Sequence, residues 1–339
     1  MLLKKNFAAS AAVWTPGRRH WMAAAVVGAL GMAAPLAMAQ SAAWPTQPVK
    51  LVVGFPAGSS PDLMARTLAE PLSQALGQPV LVDNRPGAGG NIAAAQVARA
   101  TDDHTLGLMI NGNMTIAKIL NPATPYDPLK DLSPVSLIAV APLVLTAPVS
   151  APDGGAAFLA AAKASGDKWN YGSPGVGTVA HLGMELIKSL TGMSPMHVPY
   201  KGNPAVIAGM LGNQVQMALL PPGLAMAQVN AGKLRAVGVT SAGRSSVVPE
   251  VPSLSEAGVK GLELEIWNAV AAPNSLSKAH VAKLSKLLTD IVRRPEVRER
   301  IVAQGWQVAG TSPEGLANRI RKDTATMTEV IERTGAAAK

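Results

Sequence analysis

VKLVVGFPAGSSPDLMARTLAEPLSQALGQPVLVDN, residues 49–84, holds one complete β-α-β unit, and its reading decides the fold. VKLVVGF (49–55) is a short, continuous apolar run, the pattern of a strand covered on both faces. Residues 60–76 place Leu63, Met64, Leu68, Leu72 and Ala75–Leu76 at helical spacing, and Gly77 closes the helix. PVLVDN (79–84) is the next strand. Between the first strand and the helix lies a Gly/Ser loop, a kind of turn suited to holding something small and anionic.

The same alternation continues outward. GNIAAAQVARA (90–100) predicts a helix and HTLGLMI (104–110) a strand, so β-α units follow in series and imply a mostly parallel sheet with helices on both faces. NPATPYDPLKDLSP (121–134) is rich in Pro and Asp and marks a boundary or crossover. A long β-type stretch, 135–149, leads into a second alternating region. There 168–173, 196–200, 215–220 and 234–241 read as strands, and 177–192 and 204–212 as helices. The chain then returns to helices, with Val281, Leu284, Leu287, Leu288 and Ile291 on one stripe of 277–304 and lysines and arginines away from it. This organisation predicts an α/β protein of two lobes: lobe 1 from residues 40–120 and 235–339, lobe 2 from 121–234. Ligands of such sheets bind at the carboxyl ends of strands, and the crevice between two lobes is the natural site.

The first 39 residues read as a cleavable export signal. Lys4, Lys5, Arg18 and Arg19 make a basic start without acidic residues, 22–36 is apolar, and Ala37-Met38-Ala39 fits the small-x-small cleavage rule, placing the mature start near Gln40. Arg18-Arg19-His20-Trp21-Met22 resembles a twin-arginine signal, so both export routes stay open. With no cysteine, the chain has no disulfide, no thiolate metal site, no cysteine nucleophile and no lipid-anchored cysteine. It is expected as a free periplasmic protein and a monomer. Without the leader, 26 Lys+Arg face 21 Asp+Glu, a net +5, and no basic run is interleaved with aromatics. Nucleic acid is therefore not an expected partner; the charge favours anionic ligands mildly.

Two constellations stand out. In the opening loop Gly58 permits a turn most residues cannot adopt, and Ser59 and Ser60 put hydroxyls where helix N–H groups are unpaired. Asp62 in the first turn competes for those N–H groups; it is either a cap or an acceptor for a ligand hydroxyl or amine. NYGSPGVGTVAHL (170–182) repeats the device, with Ser173, Gly175, Gly177 and Thr178 presenting N–H and hydroxyl groups and His181 one turn further on. Two cradles facing one another across a cleft suit a small acid with polar groups at both ends. Asn111-Gly112-Asn113 places amides at the sheet's carboxyl edge, or is a plain turn; PYKGNP (199–204) is a turn that could border the cleft.

Other chemistry finds little support. NRPGAGGNI (84–92) contains Gly87-x-Gly89, yet the acidic residue a dinucleotide site needs at the end of a second strand is missing. The histidines at 20, 104, 181, 197 and 280 have no metal-ligand spacing, so neither a metal nor a cofactor is expected. Ser60, His181 and Asp62 lack the Gly-x-Ser-x-Gly elbow, and an Asp two residues from the Ser is badly placed to orient a histidine from the other lobe.

WPTQPVKLVVGFPAG, GQPVLVDNRPGAGGN, YDPLKDLSPVSL, NYGSPGVGTVAHL, HVPYKG, AGKLRAVGVTS and PEVPSLSEAG together resemble, in the same order, the substrate-binding proteins of tripartite tricarboxylate transporters, the Bug family. The resemblance spans essentially the whole mature chain. It implies a periplasmic-binding-protein-like (type II) fold whose two α/β lobes close on a small carboxylate, a di- or tricarboxylate or an aromatic acid, for delivery to membrane permease subunits. It implies a ligand carboxylate held by loop N–H groups, hydroxyls and waters rather than by arginines. Carried over by position, the first-lobe contacts are Phe55, Ala57, Gly58, Ser59, Ser60 and Asp62. Those of the second lobe are Ser173, Gly175, Val176, Gly177, Thr178 and His181, with Asn111 and Asn113 on the strand end between. The chain departs from the family pattern at Ala57-Gly58-Ser59-Ser60-Pro61-Asp62 and at Leu219-Leu220-Pro221-Pro222, where a more apolar wall leaves room for an apolar or aromatic acid. Two further classes stay open: a periplasmic carboxylate-ester hydrolase, and a ligand-sensing subunit for a membrane signalling partner.

Overall fold

Alternate residues of the first strand serve two different cores, and that is what makes it central. The strand β1 (Val49–Val53) sends Val49, Leu51 and Val53 against Met64, Leu68 and Leu72 of helix α1 (Ser60–Leu76). Val52 points the other way, against Ala93, Ala94 and Val97 of α2 (Asn91–Ala98). Each large aliphatic side chain fully buried in this way contributes about 1.5–3 kcal/mol. The computed structural model describes residues 44–336 and Ala12. The expected leader and the mature start at Gln40 lie outside the described residues.

The first sheet runs in the order β2 (Val80–Asn84), β1, β3 (Thr105–Ile110), β10 (Glu265–Pro273), β4 (Leu132–Pro142), β11 (Gln307–Val308). Strands β1, β2 and β3 are parallel, and β10 runs antiparallel between β3 and β4. The second sheet runs β7 (Met196–Pro199), β6 (Asn170–Ser173), β8 (Met217–Leu220), β5 (Val144–Pro148), β9 (Leu234–Val239). Here β6, β7 and β8 are parallel and β5 runs antiparallel between β8 and β9. The two sheets thus repeat one plan, in which the fourth strand belongs to a crossover from the other sheet. The helix α5 (Val179–Thr191) follows β6 as α1 follows β1.

Both crossovers meet at Thr240. Leu143, the single residue between β4 and β5, donates its N–H to Thr240 Oγ1 at 2.9 Å and accepts the Thr240 N–H at 2.9 Å. The same hydroxyl donates to Leu264 O at 2.7 Å, just before β10 begins.

Several readings of the sequence change. Residues 132–142, placed with lobe 2 by a boundary at 121, pair with β10 in the first sheet; the chain crosses only at Leu143. The long stripe in 277–304 is two helices, α8 (Lys278–Arg293) and α9 (Pro295–Ala303), because Pro295 forces Arg294 into an extended conformation. EIWNAVAAP (265–273), passed over as a strand, is β10. Asn111-Gly112-Asn113 is no plain turn: Gly112–Ile116 form one π-helical turn that runs on into a short α-helix. The terminal helix α10 (Pro313–Thr334) serves both halves, with Leu316 and Ile320 in the core beneath β3 and β10 and Met327, Val330 and Ile331 in the core around α5.

Candidate functional site

The carboxyl ends of β1 and β6 turn into helices whose first residues, Ser60 and Pro61 on one side and Thr178, Val179 and Ala180 on the other, border one cavity. The backbones come very close there. A Cβ on Gly89 would lie 2.5 Å from Val176 O, and one on Gly112 would lie 2.6 Å from Gly177 O. The glycines of NRPGAGGN therefore serve close approach of two loops, a reading the sequence allows but does not single out.

The first loop is braced from within by its own carboxylate. Asp62, 1% exposed, accepts from Gly58 N at 2.9 Å, from Arg66 Nε at 3.0 Å and from Asn84 Nδ2 at 2.9 Å. Burial pushes its carboxyl up, but the hydrogen bonds from Arg66, Asn84 and Gly58 more than offset this and hold it below the usual range. Asn84 also donates to Phe55 O. Ser59 is the helix N-cap by position, yet its hydroxyl makes no cap bond; Ser59 Oγ and Ser60 Oγ are buried without a partner.

The second loop is braced by a true cap and a pile of rings. Thr178 Oγ1 donates to Gly175 O at 2.8 Å and accepts the His181 N–H at 3.3 Å. Ser173 Oγ lies 2.7 Å from His197 Nε2, and the His197 ring is stacked between His181, at 4.3 Å, and Tyr171, at 4.7 Å. Tyr171 donates to Glu185, which pairs with Lys188. Burial and the neighbouring His181 push the His197 ring down to about 4, so it is neutral at neutral pH.

Between these loops lies a cavity of about 50 Å³. From the first lobe it is lined by Phe55, Ser60, Pro61, Ile110, Asn111, Ile266, Trp267, Asn268 and Trp306; Pro174, Thr178, Val179, Ala180, Asn203 and Pro221 line it from the second, with Leu143 at the crossover. A groove of about 380 Å³ lies on the outer side, bordered by residues 87–91, 174–177, Tyr200 and Lys201.

Of the residues expected at the site, Phe55, Ser60, Asn111 and Thr178 line the cavity, and Phe55, Gly175, Val176 and Gly177 line the groove. Ala57, Gly58, Ser59, Asp62, Asn113, Ser173 and His181 line neither. Asn111 is spent on β10: its Nδ2 donates to Glu265 O and its Oδ1 accepts from Trp267 N. Asn113 donates to Gly89 O and to Asn91 Oδ1, holding the first lobe's glycine loop.

Sequence reading missed Asn268, which is fully buried with neither Nδ2 nor Oδ1 partnered. The only signal for it is a lone amide in an otherwise apolar run, IWNAVAAP (266–273), once that run is read as a strand. Asn203, in the segment weighed as a turn, also reaches the cavity. What the arrangement offers is a largely apolar cavity with two helix N-termini, unspent hydroxyl and amide groups, and an aromatic wall. No Lys, Arg or His is among its described lining residues.

Comparison with known proteins agrees with this architecture. The model of the tripartite tricarboxylate transporter family receptor, TctC, matches residues 64–336. Protein BugT of Bordetella pertussis is 33% identical over 316 residues, 92% of this chain and 96% of that one. An R. palustris protein solved with adipate superposes with a TM-score of 0.83 at 30% identity, over 86% of this chain and 98% of its own. MatC from Rhodopseudomonas palustris, with bound malate, gives 0.81 at 29% identity over 85% and 100%. The chain belongs to the TctC family of tripartite tricarboxylate transporter receptors, and its two-sheet α/β architecture is that of the periplasmic binding proteins.

Proposed function

We propose that this chain is an extracytoplasmic solute-binding protein that closes on a small carboxylate and hands it to the permease subunits of a tripartite transporter. The observation that carries the reading is the set of unpartnered polar atoms at the interlobe cavity: Ser60 Oγ and both polar atoms of Asn268. Buried polar groups are normally paired, and each left unmade costs about 1–3 kcal/mol. Three such atoms lining one cavity are suited to a partner from outside.

The carboxylate belongs at the N-terminus of α5. Its first N–H groups have no acceptor within the helix, the dipole favours an anion, and no acidic residue occupies its first turn. A ligand of several carbons enters when the lobes part about the paired crossovers at Leu143 and Thr240. The lobes then comprise the first sheet with its helices, and 144–264 around the second. Export through the leader at 1–39 places this work in the periplasm. Binding and release need neither a nucleophile nor a general base, in keeping with a site whose titratable groups lie behind its walls.

The test is a thermal-shift screen against aliphatic and aromatic mono-, di- and tricarboxylates. At a hundred times its dissociation constant a true ligand adds about 2.7 kcal/mol, a rise of several degrees for a chain of this size. Ser60→Ala should weaken that shift. Gly112→Ala, which sets a methyl against Gly177 O across the two lobes, should lower affinity by roughly tenfold or more without unfolding either lobe. Absence of a shift with every acid would sink carboxylate capture.

A further inference from the structure

The two ends of the cavity are chemically unlike, and on the carboxylate reading above that difference names the ligand more closely. At the α5 end, Val179 and Ala180 present helix-heading N–H groups with no acid nearby in the first turn. The α1 end is the opposite. Asp62 stands in its first turn, already ionised and holding Gly58 N, while Pro61 has no N–H to give. Arg66 meets Asp62 from the solvent side and does not line the cavity. A second carboxylate at this end would face a helix terminus whose charge is already answered, with no cationic side chain among the described lining residues.

What this end does offer is neutral and two-handed. Asn268 presents one donor group and one acceptor, Ser60 a hydroxyl that serves as either, and all are buried and unpaired. A carboxylate could accept from Asn268 Nδ2 but would leave Oδ1 facing its own negative oxygens. A hydroxyl or a carboxamide satisfies both. The intervening wall is apolar: Phe55, Ile110, Leu143, Ile266, Trp267 and Trp306. The one polar atom of Trp267 is spent outward, on Asp323 Oδ2 at 2.7 Å.

We propose that the cavity selects a monocarboxylate with an apolar body and an uncharged donor–acceptor group, hydroxyl or carboxamide, at its far end, and that Asn268 is the residue that reads that group. The test uses two matched series on the purified protein by calorimetry: hexanoate, 6-hydroxyhexanoate, 6-amino-6-oxohexanoate and adipate; benzoate, 4-hydroxybenzoate, 4-carbamoylbenzoate and terephthalate. In the series that binds, the hydroxy or carbamoyl acid is expected to bind at least about tenfold more tightly than the diacid and the plain acid, the effect of one buried hydrogen bond left unmade. Asn268→Leu should collapse that ratio while leaving the ligand-free protein at least as heat-stable, since it removes an unpaired buried amide.

A diacid that binds as tightly as the hydroxy acid, a ratio that survives Asn268→Leu, or a ligand-free variant that melts several degrees lower would each overturn the proposal. Binding of the diacid alone would overturn it while leaving carboxylate capture intact; binding of no acid in either series would take down both.

Discussion

The loops at 55–62 and 173–181 are built from the same device, strand, Gly/Ser turn and helix start, but they are braced in opposite ways. The first carries its anion within itself: Asp62 gathers Gly58, Arg66 and Asn84, and the Ser59 and Ser60 hydroxyls beside it have no partners. The second has no internal anion. Thr178 caps its helix and Ser173 leans on His197 and Gly175, so its hydroxyls are consumed. A loop hydroxyl therefore becomes available to a ligand only when the loop's other demands have been met by something else.

Removing the internal anion should do the greatest damage to this contrast. Asp62→Ala leaves the donors of Gly58 and Asn84 unanswered and is expected to cost about 3 kcal/mol in chemical denaturation. If the loss is below about 1 kcal/mol, the first loop does not depend on its carboxylate and the asymmetry argued here dissolves.

On the other side the brace is a ring stack, and it responds to pH. The folded protein holds the His197 ring at about 4, below the 6.5 of an unfolded histidine, because burial and His181 oppose its charge. The unfolded state thus takes up a proton first. Stability that is present above pH 6.5 falls as the pH drops toward 4, by up to about 3 kcal/mol. His181, Glu185, Lys188 and Tyr171 surround the ring, and the effect should be read as that of the cluster. Urea melts at pH 7 and pH 4 on the protein and on His197→Gln would test this: equal pH slopes in both would remove His197 as the cause.

The smallest effect separates the two caps. Thr178→Ala should cost about 1 kcal/mol, the usual worth of a helix cap, while Ser59→Ala, which breaks no hydrogen bond, should fall within about 0.5 kcal/mol of zero. A Ser59→Ala loss equal to that at Thr178 would mean the two loops are capped alike after all.

Much of this was legible beforehand because it is local. Val49, Leu51, Val52 and Val53 read as a buried strand because both faces need apolar cover, and Ser60–Leu76 as a helix because its apolar residues recur at helical spacing. Gly77, at φ 72, ends that helix as its position suggested. Asn268 was not legible, because nothing in IWNAV tells which neighbours will oppose its amide; that depends on Ile110 and Ala139 flanking it in the sheet and on the second lobe above. For the same reason Asn111 and Asn113, plausible ligand contacts by residue type, are spent on groups distant in sequence, while Asp62 is spent on Gly58 and Arg66, four residues to either side, and on Asn84.

By itself the sequence determined the β-α alternation, the two Gly/Ser turns and the family, since these rest on periodicity, on glycine's conformational range and on ordered motifs. Only the tertiary structure decided that the chain changes sheets at Leu143 rather than 121, that β10 returns to the middle of the first sheet, and which polar atoms reach the cavity unspent. Strand order and hydrogen-bond competition are settled by partners far away in the chain, and no local pattern records them.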